Sequence, residues 1–422
     1  MQIAELHQIF SESTGIATDT RTLTPGQLFF ALKGPTYNAD EFAISALDKG
    51  ASYAIASLDC STDHPKIIKV PDTLKTLHQL ANYHRLQFEI PVIAITGSNG
   101  KTTTKELIGA LLSSGYTTLI TEGNLNNHIG VPLTLLNLNK SHEIAIIEMG
   151  ANHQGEIAAL SEITVPNFGL ITNFGKAHLE GFGGFEGVIK GKSELYNNLI
   201  ASEGVIFYNK QDPKQTELLA SYDNALSYGL QEEAEVFIDL LQSTPTIKAR
   251  WNGTEFTSSL FGTYNATNIA AAIAVGVFFE LETTQITTAI EAYTGKQMRS
   301  EIRNHKNQKI FLDAYNANPT SMAESLSVFK ALEWPNTTVI VGDMFELGAD
   351  APLEHERLVE HIESLGFEQV ILVGKHFCNA SNSFHCFATT EELIESKELI
   401  VGKNLFLKGS RSMALERILE HL

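Results

Sequence analysis

A run of apolar residues that ends in a glycine turn constrains this chain more than any other feature. Pro91-Val-Ile-Ala-Ile-Thr96 is short, mostly apolar, and followed at once by Gly97-Ser98-Asn99-Gly100-Lys101-Thr102-Thr103-Thr104. Such a run predicts a strand buried on both faces, the kind found in parallel sheets. Leu107, Ile108, Leu111 and Leu112 then share one stripe at helical spacing, which predicts a helix directly after the glycines. In this setting a glycine turn points backbone N–H groups inward around an anion, and the helix N-terminus adds positive potential. The pattern therefore predicts a phosphate loop from Thr96 to Thr104, with Lys101 reaching terminal phosphates and the Thr102 hydroxyl placed for Mg²⁺. The full spacing would put glycine where Ile95 stands, so a shortened variant is expected. A glycine turn merely capped by threonines is the bland alternative.

Further apolar runs at Ile144–Glu148, Phe168–Thr172 and Val205–Asn209 alternate with helical patterns, as in a doubly wound α/β sheet. The last third repeats the logic, with strands expected at Lys309–Leu312, Thr338–Val341, Gln369–Val373 and Asn404–Leu407. A helix is expected from near Ser321, carrying Met322, Leu326, Phe329 and Leu332. Each of these strands runs into a polar loop, and in open α/β sheets ligands gather at those carboxyl ends. At 422 residues the chain is long enough for two to four domains. The expected division is a small N-terminal α/β domain over 1–85, a central doubly wound domain over 86–300 and a Rossmann-like α/β domain over 301–422.

A net charge of −19 argues against general nucleic-acid binding or anionic membranes, yet leaves room for anionic small molecules in a locally basic cleft. Cys60, Cys378 and Cys386 show no metal-ligand or redox spacing, which favours a reducing compartment. Met1–Leu6 carries no basic stretch followed by an apolar run, and Ile269–Phe279 is too short to span a bilayer, so a cytoplasmic protein without membrane insertion is expected. No assembly helix is evident, and a monomer is expected.

Glu148 closes an apolar strand, where a carboxylate is costly to bury unless it meets a cation. Asn173-Phe-Gly-Lys-Ala-His178-Leu-Glu180 and Lys190-Gly-Lys192-Ser-Glu194 form a second polar cluster. Taken alone, His178 reads as structural as readily as ligating, and Lys192 reads as a solvated helix charge. Asn209-Lys210-Gln211-Asp212 matches a guanine-reading motif, but no aspartate has a glycine three residues later, so this stretch reads as an ordinary loop.

In this order, Thr96–Thr104, Glu148-Met-Gly150, Asn173–Glu180 with Lys192-Ser-Glu194, Tyr264-Asn265-Ala-Thr-Asn268 and Asp313-Ala-Tyr-Asn-Ala-Asn-Pro319 resemble the Mur ligase family. Asn124–Thr134, Asp313–Pro319, Gly342–Gly348 and Lys408-Gly-Ser-Arg411 are similar to the branch that adds D-alanyl-D-alanine to a UDP-linked muramoyl tripeptide. The resemblance implies an ATP-dependent amide ligase of cytoplasmic peptidoglycan synthesis, working through an acyl phosphate with two Mg²⁺ ions. It implies ATP contacts from Thr96, Gly97, Ser98, Asn99, Gly100, Lys101, Thr102 and Thr103, with Asn265 and Asn268 at the base. Asp313, Tyr315 and Asn316, with Arg299, would close over ATP from the C-terminal side. Thr102 and Glu148 would hold one metal, and His178 and a carbamylated, bridging Lys192 the other. Lys101, Lys192, His178 and Arg299 would be the catalytic set. Thr18, Asp19, Thr20, Arg21 and Lys33 would grip the UDP end, while Asn126, Asn127, Lys408 and Arg411 would lie near the peptide substrates. Tyr264, where a histidine is common, and Asn38-Ala39-Asp40 depart from the family pattern.

Two other readings remain open at this stage. A sibling ligase would act on an earlier stem-peptide step or on folate. A phosphate-loop NTPase acting as a regulatory module would release phosphate without acid or amine.

Overall fold

The computed structural model describes residues 1–34, 36–295, 301–380 and 383–422. Three parallel or mostly parallel sheets follow one another along the chain. The first has four short strands in the order Ile16–Ala17, Leu28–Phe30, Tyr53–Ser57 and Ile67–Val70, all parallel. Its last helix, Thr73–Arg85, starts where the Asp72 carboxylate accepts from Lys75 N. That helix packs on Ile3–Ser11 and also on Gly130–Leu135 and Glu156–Thr164, so it joins the first sheet to the second.

The second sheet has seven parallel strands, with Val92–Thr96 between Ile144–Glu148 and Phe168–Ile171. After Val92–Thr96 the chain moves to one side of that strand for Thr118–Ile120 and Ile144–Glu148. It then crosses to the other side for Phe168–Ile171, Val205–Asn209 and the remaining strands. The reversal opens a crevice beyond the carboxyl end of Val92–Thr96, where the glycine turn lies. The strand is buried throughout, as its apolar run predicts, and the helix Lys101–Leu112 buries Leu107, Ile108, Leu111 and Leu112. Packed against it, Thr263–Phe278 is buried over most of its length. An antiparallel sheet of Asp239–Gln242, Ile247–Trp251 and Thr254–Ser258 interrupts the α/β alternation. Sequence patterning missed it because its strands are short and half-exposed.

The third sheet places Gln308–Leu312, Asn404–Lys408, Thr337–Gly342, Gln369–Val373 and His385–Phe387 in parallel. Glu301–His305 is added antiparallel at the edge. The helix expected near Ser321 begins two residues earlier, at Pro319, because the Asn318 side chain caps it by accepting from Ser321 N. Cys378 and Cys386, whose spacing marked no pairing, form a disulfide with Cα atoms 5.5 Å apart, while Cys60 is free and buried. The short helix Lys375–Asn379 and the strand His385–Phe387 bring the two together, a proximity that linear spacing does not encode.

A pH effect arises where the first and second sheets meet. His84 is buried; its Nε2 lies 2.9 Å from the Leu138 carbonyl and its Nδ1 lies 2.9 Å from His7 Nε2. A carbonyl can only accept, so Nε2 carries the proton and Nδ1 accepts from His7. Burial pushes both imidazoles below their ordinary value of 6.5. The unfolded chain therefore binds more protons just below that value, and stability falls as pH drops from there toward the folded pKa values. Between pH 7.5 and 5.5 the melting temperature should fall by several degrees, and His84→Phe should flatten that slope. An unchanged slope in the variant would remove this pair as its source.

Candidate active site

The glycine turn is built by steric necessity. Gly97 has φ +140°, and a Cβ there would lie 2.0 Å from Thr172 Oγ1. Gly100 has φ +80°, and its Cβ would meet Asn268 Oδ1 at 2.7 Å. Glycine is therefore needed at both positions for conformation and for space. The turn is braced from the neighbouring strand end: Ser98 N donates to Asn173 O at 3.1 Å, Asn99 N to Asn173 Oδ1 at 3.0 Å, and Ser98 Oγ to Gly175 O at 2.9 Å. Lys101 Nζ folds back to donate to Gly97 O at 2.6 Å and Ser98 O at 3.2 Å, over the hollow of the loop.

Behind the loop, Thr102 Oγ1 lies 3.2 Å from Glu148 Oε1, across 46 residues of chain. Asn126 Nδ2 donates to the same carboxylate oxygen at 2.7 Å. Lys105 Nζ sits 3.8 Å from Glu148 Oε2, with both side chains 1% exposed. Glu148 Oε2 is buried and accepts no hydrogen bond. An anionic oxygen left in that state has room for a hard cation. Among the described residues, no three His, Cys, Asp or Glu converge. The donor set suits Mg²⁺, which binds through one or two protein ligands with phosphate oxygens and water.

Lys192 is 1% exposed, contrary to a solvated helix charge. Its Nζ donates to Ala151 O at 3.2 Å and lies 5.0 Å from the Phe182 ring centroid. Burial, reinforced by nearby Lys101, pushes this amine well below the ordinary lysine range. His178 adopts φ +55° and sets Nδ1 2.5 Å from Glu346 Oε2, a residue of the third sheet's loops.

The third unit reaches the loop directly. Asn99 and Asn318 exchange amide hydrogen bonds of 2.7 and 3.4 Å across 219 residues. Lys176 Nζ lies 2.6 Å from Glu354 Oε1. Lys408, 3% exposed, pairs at 2.5 Å with Asp313 Oδ2, which also accepts from Ser325 Oγ at 2.9 Å. Lys408 therefore helps fix the Asp313 loop. Glu324 faces the same space, and burial raises its carboxyl above the usual range, with Lys408 opposing.

These groups surround a cavity of about 650 Å³. Its wall contains Ser98, Asn99, Gly100, Lys101, Thr103, Glu148 and His178, together with Asn265, Asn268, Asp313, Tyr315, Asn316, Asn126, Asn127 and Lys408. Asn265 Nδ2 donates to Phe261 O and Asn268 Nδ2 to Asn265 Oδ1, both at 3.0 Å, which fixes two amides beside the loop. Thr96, Thr102 and Lys192 lie buried behind the wall. Arg299 lies outside the described residues. Thr18, Asp19, Thr20, Arg21 and Lys33 do not line this cavity. Asp19 pairs with Arg21 at 2.6 Å, and Lys33 lies 3.2 Å from Asp40. Arg411 also lies off the wall, 2.6 Å from Glu416. The guanine-like stretch is a helix cap, with Asp212 accepting from Lys214 N and Gln215 N. Sequence reasoning missed His78, His128, Asn318 and Glu324. The first lies on a helix assigned to another unit, and the others needed packing to reach the crevice.

A switch-point crevice with a phosphate loop, closed by a second α/β unit, defines a nucleotide-using enzyme, and the chain belongs to the Mur ligase family. The model for the Mur ligase middle domain matches residues 95–276, and that for the Mur ligase glutamate ligase domain matches 298–411. The chain is 36% identical to the UDP-N-acetylmuramoyl-tripeptide–D-alanyl-D-alanine ligase of Escherichia coli K12, over 96% of this chain and 93% of that protein. It is 32% identical to the Bacillus subtilis 168 ligase of the same name, over 97% and 93%. Among solved structures, MurF from Acinetobacter baumannii superposes with a TM-score of 0.88 at 31% identity, covering 99% of this chain and 98% of that one. A Thermotoga maritima MurF ligase in complex with ADP gives 0.85 at 27% identity, with 98% and 97% covered.

Proposed function

We propose that the chain joins D-alanyl-D-alanine to a UDP-N-acetylmuramoyl-tripeptide with ATP, releasing ADP and phosphate, in cytoplasmic peptidoglycan precursor synthesis. The single observation that carries this reading is the phosphate loop, with Lys101 folded over it, facing the Asp313–Pro319 loop across one cavity. The full-length similarity to ligases of this name supports the choice of substrates.

In the first step the terminal carboxylate of the tripeptide attacks the γ-phosphorus of ATP. An acyl phosphate forms and ADP leaves. The amine of the dipeptide then attacks the acyl carbon, loses a proton, and phosphate departs. Bringing two anions together is the main obstacle, so the protein's work is positioning and charge neutralisation. Lys101 would swing from the Gly97 and Ser98 carbonyls onto the terminal phosphates. Asn265 and Asn268 would hold the base, and Asp313, Tyr315 and Asn316 would close from the other side. Arg299 is proposed to join them.

Thr102 and Glu148 would hold one Mg²⁺, and Glu148 Oε2, buried without a hydrogen bond and with Lys105 Nζ no nearer than 3.8 Å, supports that fit. His178 and Lys192 would serve a second. Bound Mg²⁺ would neutralise phosphate charge. A neutral Lys192 amine can add CO₂, forming an N–C bond and releasing a proton, which turns a would-be cation into an anionic ligand. Its burial, with a carbonyl at 3.2 Å, a ring face at 5.0 Å and Lys101 nearby, supports this. For the UDP end, Thr18, Asp19, Thr20, Arg21 and Lys33 are proposed, and for the peptide end Asn126, Asn127, Lys408 and Arg411. A monomer divided at 85/86 and 300/301 is proposed. Among the described residues, no helix is long and apolar enough to cross a membrane.

The test is phosphate release with ATP, the UDP-linked tripeptide and either D-alanyl-D-alanine or single amino acids. Release should require both acceptor and dipeptide. Release without them would favour a regulatory NTPase, and release with a single amino acid would favour a sibling ligase.

A further inference from the structure

Lys105 is a buried cation that this mechanism leaves idle. It sits on the helix Lys101–Leu112, three residues after Thr102 and so on the same face. Its side chain is 1% exposed, and its Nζ donates to Thr121 O at 2.7 Å. The same amine lies 3.8 Å from Glu148 Oε2, an ion pair too long for a hydrogen bond. Thr121 holds both partners, because its Oγ1 accepts from Glu148 N at 3.0 Å. The Thr102 hydroxyl and the Asn126 amide both go to the other carboxylate oxygen, Oε1. Three parts of the chain therefore aim one carboxylate: the helix after the phosphate loop, the residue that follows the strand Thr118–Ile120, and the stretch around Asn126.

Charge decides what this arrangement can do. A carboxylate 1% exposed is costly to keep with no cation beside it, and Lys105 supplies one from within the fold. Together the two side chains carry no net charge. Without nucleotide, a divalent cation approaching Oε2 meets that neutral pair, with the Lys101 amine over the adjoining loop. One carboxylate opposed by two amines attracts Mg²⁺ weakly. A triphosphate reverses the balance, because its oxygens bring several negative charges to the loop.

We propose that Lys105 is a positioning residue that acts through Glu148, holding the carboxylate ready for Mg²⁺ while cancelling its charge, so that the site retains a divalent cation only together with the nucleotide's phosphates. This deepens the ligase reading and rests on its assignment of a metal to Thr102 and Glu148. Lys105 is thus a counter-charge that the nucleotide has to outweigh. It lets the carboxylate stay buried before the substrates arrive and keeps the phosphate loop from trapping a metal on its own.

Mn²⁺, which stands in for Mg²⁺, can be followed by electron paramagnetic resonance on nucleotide-free protein and on protein with a non-hydrolysable ATP analogue. The wild type should bind it only in the millimolar range alone, and about a hundredfold or more tightly with the analogue. Lys105→Met matches the length without the charge, and Lys105→Gln keeps a donor for the Thr121 carbonyl. Without nucleotide, both should bind Mn²⁺ about tenfold or more tightly than the wild type. Adding Glu148→Gln to either should abolish the gain. A lysine that merely supported the fold would give the opposite sign, because a disturbed site binds metal less well. Equal or weaker binding by the variants overturns the proposal. Should neither variant fold, micromolar binding by the nucleotide-free wild type overturns it and millimolar binding upholds it. Failure of the wild type to take up Mn²⁺ even with the analogue would instead sink the metal assignment and the ligase reading behind it, which separates the two failures.

Discussion

Lys101→Ala should lower ATP turnover about a thousandfold, in the range seen when one preorganised charge-stabilising group is removed. The melting temperature should barely move. Lys101 is only partly buried, and the hydrogen bonds to Gly97 O and Ser98 O stay within its own loop, so the fold should lose little when it is truncated. The glycines that shape the loop are held independently, by Thr172 behind Gly97 and Asn268 behind Gly100. Turnover like that of the wild type would remove the phosphate-loop assignment. A large drop in melting temperature would show instead that Lys101 holds the loop together.

Lys192→Ala should cost at least a hundredfold in activity, and millimolar acetate or propionate should restore part of it. The reasoning starts from burial. An amine 1% exposed, with one carbonyl and one ring face nearby, is a poor place for a cation and a good one for a neutral nucleophile. Addition of CO₂ would place a carboxylate-like group there, and the space left by alanine would admit a small carboxylate to the same position. Chemical rescue distinguishes this role from simple packing, because a cavity left by lost methylenes would gain nothing from an anion. Full activity of the variant without rescue would take Lys192 out of the site.

The sequence carried those features of the fold that depend on near neighbours. Val92–Thr96 had to be a buried strand because it offers no polar face, and Gly97 and Gly100 had to turn because a helical stripe begins only a few residues later. The same local logic placed Glu148 at a strand end and the Asp313–Pro319 loop beyond Leu312. Asp72, Asp212 and Asn318 likewise cap the helices that follow them through bonds spanning two or three residues.

Contacts across long separations had no such signature. Lys192 looked solvated because its helix is amphipathic only in relation to what covers it, and Phe182 and Ala151 cover it. Nothing in the sequence marked the pairing of Lys408 with Asp313, 95 residues away. His78 belonged by position to the first unit, but the helix carrying it leans on the second and turns that ring into the crevice. Periodicity and turn chemistry act over a few residues and so were written in the chain. Which charges meet, which stay buried and which face the cavity depended on the packing of three sheets, and only the folded structure decided that.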